Sequence, residues 1–133
     1  MAATIMDGKA LAAKVKERVR QQAKSLPRRP GLAVILVGDD PASRVYVNGK
    51  KRDCAECGIY SEEYALPAQT SQAELMALVD SLNRRADIDG ILCQLPLPKG
   101  LDEMAVLRAI HPSKDVDCFH PFNVGELMIG MQS

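Results

Sequence analysis

The sequence predicts an α/β protein: a three-layer α/β/α domain built on a mostly parallel sheet. Two observations carry that expectation. Helical and strand patterns alternate along the chain, the order that a parallel sheet with covering helices requires. Two short runs, "GLAVILVG" and "GILCQLPLP", are almost wholly apolar and end at glycine or proline, as strands buried on both faces do. The chain has 133 residues, the usual size of one domain, and 47% of them are hydrophobic, enough for one core.

Asp7 is placed to cap a first helix in which Leu11, Val15 and Val19 recur every fourth residue between lysines and arginines. That helix ends near Ser25, before "LPRRPG", and "GLAVILVG" is the first strand. In "DDPASRVYVNGKKRDCAECG", Asp40 is a good N-cap, Pro41 a good first helical residue and Gly58 a good terminator. Between them Ser43, Tyr46 or Val47, Lys50, Cys54 and Cys57 share one face. "IYSEEYALP" is a second strand, less apolar and therefore nearer an edge. Ser71 and Glu74 form a capping box, opening a helix with the stripe Leu75, Leu78, Val79 and Leu82. "GILCQLPLP" is the third strand, "LDEMAVLRAI" a helix stopped by Pro112, and "PSKDVDCFHPF" a loop. "NVGELMIGM" begins another helix. It is more apolar than a free terminal helix needs, so self-association, or a poorly ordered end after about Gly125, is expected. Internal repeats and low-complexity tracts are absent from the sequence.

Charge narrows the function classes. Lys+Arg and Asp+Glu balance at 17 each, which argues against a nucleic-acid or anionic-membrane partner. No apolar run approaches the roughly 20 residues that span a bilayer. The opening "MAATIMDGKALAAKVKERVR" lacks a secretory apolar segment, so a cytoplasmic location is expected. The four cysteines are then expected as thiols. Cys54-x-x-Cys57 lies at the end of a helical pattern rather than at its start, where a redox pair would be activated, and is read as buried thiols. His111 and His120 lack partners at metal-ligand spacing and read as loop residues, so no metal is expected.

Ligands of open parallel sheets bind beyond the carboxyl ends of the strands. The first strand ends at Gly38 and launches the helix with Tyr46 and Lys50. The third ends beside Gln94, and Lys114, Asp115 and Asp117 follow one helix later. These segments can meet at one edge, which accounts for a glutamine in an otherwise apolar run. Tyr46 and Lys50, four apart, share a helix face. A lysine on an apolar stripe is desolvated, and desolvation favours the neutral amine that can move protons near neutral pH. Asp117, when ionised, suits a ligand with adjacent N–H donors. Pattern alone leaves the plainer alternatives open. Lys50 could be solvated with a buried stem, Tyr46 a core residue, Gln94 a cap on the sheet edge, and Asp115 and Asp117 acceptors of Asx-turns.

With those residues in view, the chain resembles the bifunctional methylenetetrahydrofolate dehydrogenase/cyclohydrolase family over essentially its whole length. "VGDDPASRVYVNGKKRDCAECGI" matches the run V-G-x-x-P-A-S-x-x-Y-V-x-x-K, "DGILCQLPLP" matches D-G-I-L-V-Q-L-P-L-P, and "PSKDVDCFHPFNVGELMIG" matches P-x-K-D-V-D-G-F-H-P-x-N-x-G. The resemblance implies two reactions: oxidation of 5,10-methylenetetrahydrofolate by NADP to the methenyl cation, then hydrolysis to 10-formyltetrahydrofolate. It implies that Lys50 is the catalytic lysine and Gln94 the glutamine that contacts and tunes it. Tyr46 would pack on the folate and Asp117 would hold the N–H groups of the pterin. Ser43 would play a structural or lysine-supporting part. It also implies a homodimer.

Residues 1–120 would be the folate-binding catalytic domain and 121–133 the start of a helix toward an NADP-binding Rossmann domain that these residues do not encode. No G-x-G-x-x-G follows a strand here. The chain alone is therefore expected to lack dehydrogenase turnover. A non-catalytic folate-fold module, binding a ligand or partner only, is the alternative. Three residues depart from the pattern. Cys118 stands where the family has glycine, where strain or a displaced Asp117 is expected. Arg85 replaces an acidic or amide residue, read as a surface matter, and Cys93 replaces a valine in the core.

Overall fold

The computed structural model describes residues 3–131. Asp7 accepts a hydrogen bond from Ala10 N at 2.9 Å and starts α1, Gly8–Ser25. The strand β1, Gly31–Val37, follows, then α2, Pro41–Cys57. Asp40 caps α2 by accepting from Ser43 N, and Gly58, at φ +75°, closes it. β2 runs Tyr60–Leu66 and α3 Gln72–Arg84. Both halves of the expected capping box are present: Glu74 N donates to Ser71 Oγ and Ser71 N donates to the Glu74 carboxylate. β3 is Gly90–Cys93, α4 Glu103–Ala109, a 3-10 turn Pro112–Lys114, and α5 Pro121–Met128.

The sheet is wholly parallel in the order β2-β1-β3, so the most apolar strand is central and the least apolar is an edge. Alternation along β1 divides the core in two. Ala33, Ile35 and Val37 face α3 and α4 in a cluster with Leu75, Val79, Leu82, Val106 and Ile110. Val34 and Leu36 face the other way, onto Val47 of α2, with Leu92 of β3. The first cluster holds twelve buried residues and the second four. Gly31 enters β1 where the backbone has no spare room: a Cβ there would lie 2.1 Å from the Asp87 carbonyl oxygen.

Several expectations need correction. β3 stops at Cys93, not at the prolines. Pro96 and Pro98 have no N–H to give a ladder, and the last rung is Gln94 N donating to Ile35 O at 2.9 Å. The position shared between Tyr46 and Val47 goes to Val47, which is fully buried, while Tyr46 is 65% exposed. α1 forms as expected but buries no residue; it lies chiefly against α2, and Leu11 and Val15 remain exposed. α5 continues past Gly125 to Met128, with Leu127, Met128 and Ile129 exposed. Residues 132 and 133, part of the expected connecting helix, lie outside the described residues. No helix among the described residues is long and apolar enough to cross a membrane.

Arg85 is not a plain surface residue. Its guanidinium donates to Glu62 on the edge strand and to Asp87, and also to the Tyr64 hydroxyl, tying β2 to the end of α3. Hydrogen bonds from Arg85, then from Tyr64, hold the Glu62 carboxyl at about 2 against an ordinary 4.5. The folded-state value is the lower one. Its stabilisation is therefore full above about pH 4.5 and is lost as pH falls toward 2. Allowing for solvent screening of a pair that is partly exposed, we expect about 1–2 kcal/mol. Urea titrations at pH 6 and pH 2.5 should show a wild-type loss that exceeds the Glu62→Gln loss by that amount.

Candidate functional site at the carboxyl edge of the sheet

The site begins with the turn after β1. Gly38 ends the strand, Asp39 and Asp40 form the turn, and the Asp40 cap aims α2 along the sheet. Ser43, in the first turn of α2, is 3% exposed, the single polar residue in the buried set among those described. Two turns further on, Lys50 is half-buried, and its Nζ donates to Gln94 Oε1 at 3.0 Å. Gln94 Nε2 donates in turn to the Leu95 carbonyl at 3.0 Å. The amide is thereby fixed, because its NH2 is committed to the backbone and its oxygen is left for the lysine. The segment beyond is held by Glu103, whose carboxylate accepts from Leu97 N at 2.9 Å.

Asp117 completes the arrangement. Its residue is open to solvent on one side, yet surrounding protein strips hydration from the carboxylate and raises its pKa. The Lys50 charge works against that shift and Asp115 adds to it. No hydrogen bond within the described residues offsets the desolvation. Lys50, Gln94 and Asp117 are thus brought to one edge, with Tyr46 one turn before Lys50 on α2, its ring exposed. Ser43 lies two turns from Lys50, inside the fold rather than on the open face.

Cys118 has φ +56°, the one non-glycine residue with positive φ among those described. A side chain in this region costs about 1–2 kcal/mol, part of which glycine would return as extra freedom in the unfolded chain. Cys118→Gly is expected to stabilise the fold by about 0.5–1 kcal/mol, read as a higher urea midpoint. Elsewhere the cysteines are packing residues. Cys54 and Cys57 are buried on α2, with burial raising the Cys54 thiol, and burial pushes Cys93 up to about 12. His111 and His120 both serve as N-caps, of the 3-10 turn and of α5.

A groove of about 990 Å³ lies elsewhere, between α5 and the 3-10 turn, and includes Cys118, Phe122 and Leu127 but not Lys50 or Gln94. For Asp115 the plainer sequence alternative, a loop acceptor, is the one the structure bears out. Its carboxylate accepts from His120 N and Asn123 Nδ2, both at 2.9 Å, and from Phe119 N at 3.2 Å. Burial pushes Asp115 up, but these bonds outweigh it and hold its pKa below the ordinary range. What the sequence does not show is the reach of the turn, to Phe119, His120 and Asn123.

A parallel sheet covered by helices, with a lysine–amide pair and a nearby aspartate at its carboxyl edge, is the arrangement in which open α/β domains carry their ligand sites. Residues 6–117 match the family model described as tetrahydrofolate dehydrogenase/cyclohydrolase, catalytic domain, and the chain belongs to that family. It is 58% identical to the bifunctional protein FolD of Ruminiclostridium cellulolyticum over 133 residues, covering 98% of this chain and 47% of that protein. Against the same protein of Acetivibrio thermocellus the identity is 56%, with the same coverage. The crystal structure of the FolD methylenetetrahydrofolate dehydrogenase/cyclohydrolase of Campylobacter jejuni superposes with a TM-score of 0.94 at 50% identity, covering 99% of this chain and 48% of that one. The Trypanosoma brucei enzyme, solved with NADP cofactor and inhibitor, gives 0.91 at 35% identity, covering 100% and 47%. The chain spans about half the length of the curated relatives it matches.

Proposed function

We propose that this domain binds a tetrahydrofolate derivative at the carboxyl edge of its sheet and supplies the catalytic groups for its one-carbon chemistry. The observation that carries the reading is the Lys50–Gln94 hydrogen bond, set beside a desolvated Asp117. In this reading Asp117 accepts the adjacent N–H donors of the pterin, which replace water on its open side, and the exposed Tyr46 ring packs on the folate. Lys50 Nζ, as the neutral amine, takes the proton that water loses on adding to the methenyl carbon. The remaining hydroxyl proton passes to the ring nitrogen as its bond to that carbon breaks, giving 10-formyltetrahydrofolate, and the proton held by Lys50 is released to solvent. Gln94 holds the ammonium in place through its oxygen. Ser43 supports the turn of α2 below them.

In the same reading NADP accepts the hydride in the preceding oxidation, held by residues outside this chain. The turn after β1 does not fit a dinucleotide: Asp39 and Asp40 bring two carboxylates to the helix start where a pyrophosphate would need free N–H groups. Residues 1–120 form the substrate domain and 121–133 lead toward the cofactor domain. Homodimerisation and a cytoplasmic location, without nucleic-acid or membrane partners, belong to the same proposal and rest on the family motifs and balanced charge.

The test is the absorbance decay of 5,10-methenyltetrahydrofolate with the purified chain. We expect hydrolysis faster than in buffer, and loss of saturable binding in Asp117→Ala. Saturable binding without acceleration would support the binding-module alternative, and neither effect would remove the folate reading.

A further inference from the structure

We propose that Asp115 is a positioning residue of this site: it winds the segment 115–120 so that the Asp117 carboxylate is presented toward Lys50. The inference rests on the reading of Asp117 as the folate acceptor. The two aspartates are treated oppositely by the fold. Asp115 receives three N–H donors, from Phe119, His120 and Asn123, whereas the Asp117 carboxylate, open to solvent on one side, accepts none from the described residues. Every residue leading up to Asp117 is pinned. Lys114 Nζ donates to the Leu82 and Arg85 carbonyls at 3.1 and 2.7 Å. The backbone of Asp115 bridges to Ile91 of β3. Val116 packs where Gly90 leaves space: a Cβ on Gly90 would lie 2.5 Å from Val116 Cγ1.

Beyond Asp117 the backbone reverses at Cys118, and the reversal is closed by the N–H groups that Asp115 collects. Asn123 locks this turn to α5 and to the Pro112 carbonyl, at 2.9 Å in each case. Asp115 thus spends its charge on geometry and leaves Asp117 free for a ligand. The groups that face Asp117 are Lys50 from α2, Asp115 from its own segment and the Cys93 thiol from β3. Removing the Asp115 charge therefore removes a repulsion, and unwinding the turn admits water. Both lower the Asp117 pKa toward that of an ordinary aspartate.

The experiment compares the chain with its Asp115→Asn and Asn123→Ala variants. The carboxyl titration of Asp117 is followed by carbon-13 NMR, and tetrahydrofolate affinity is measured by calorimetry between pH 5 and 8. Asp115→Asn is expected to lower the Asp117 pKa and to weaken binding by about 10–100-fold, as a displacement near 1 Å does. A lower melting temperature with an unchanged Asp117 titration and unchanged affinity would show a role confined to stability and would overturn the proposal. Should Asp115→Asn fail to fold, Asn123→Ala decides, since it removes one of the three donors and keeps the charge. A several-fold loss of affinity supports the proposal and an unchanged affinity overturns it. If the wild-type chain does not bind tetrahydrofolate, the folate reading falls, and the Asp117 titration in Asn123→Ala, which keeps the Asp115 charge, still decides the role of Asp115: a lowered Asp117 pKa supports positioning and an unchanged one overturns it.

Discussion

Replacing Lys50 with methionine should reduce hydrolysis of 5,10-methenyltetrahydrofolate by about 100- to 10,000-fold, the range that a positioned proton-transfer group supplies. Methionine keeps the apolar stem on α2 and deletes the Nζ that donates to Gln94. The oxygen left behind belongs to a half-buried residue that water can reach, so the fold should survive with its melting temperature changed by only a few degrees. The measurement is the methenyl absorbance decay at equal concentrations of folded protein. Unchanged hydrolysis would make Lys50 an ordinary helix lysine. Binding of tetrahydrofolate should be weakened far less than turnover, because the acceptor assigned to the pterin is Asp117.

The second large effect concerns folding. Gly31→Ala should cost about 3 kcal/mol or more, a substantial share of a typical domain's stability. The obstacle is backbone: the new Cβ would sit 2.1 Å from the Asp87 carbonyl oxygen, and no side chain can rotate away to relieve it. Shifting the chain would break the bonds that join β1 to the turn before β3, Gly31 N to the Asp89 carboxylate at 2.9 Å and Asp89 N to Gly31 O at 2.8 Å. Arg28, which also pairs with Asp89, would be dragged along. Gly49→Ala supplies the contrast. A Cβ there meets nothing nearer than the Arg52 guanidinium at 4.0 Å, and alanine in a helix interior should add about 0.5–1 kcal/mol. Urea titration of the two variants should move the midpoint in opposite directions.

Much of this architecture was legible because local chemistry agrees with the global fold. Asp7, Asp40 and Ser71 each cap the helix that follows them, and the apolar run of β1 lies at the centre of the sheet. What was not legible depended on partners distant in sequence. Periodicity says that α1 has an apolar stripe but cannot say that α2 is the main element against it, leaving Leu11 and Val15 exposed. Tyr46 and Val47 are adjacent, and only packing decides which enters the core. Arg85 met its partners Glu62 and Tyr64 across more than twenty residues. In the site, the proximity of Lys50 and Gln94 follows from strand order and helix direction. The division of labour between Asp115 and Asp117 does not, because two identical side chains differ only in which N–H groups surround them.

The unequal halves of the core bear on motion. The core cluster on the α3–α4 side of the sheet has twelve buried residues and the cluster under α2 four, with Ser43, Cys54 and Cys57 buried besides on α2, so the layer that carries Lys50 is the cheaper one to open. Partial unfolding draws on such weakly buttressed units well before the whole molecule melts. Amide hydrogens of α1 and α2 should therefore exchange with solvent faster than those of α3. A ligand that bridges Lys50 on this layer to Asp117 on the opposite wall, as the proposed folate would, should slow that exchange and lend the surface the rigidity its own packing does not supply.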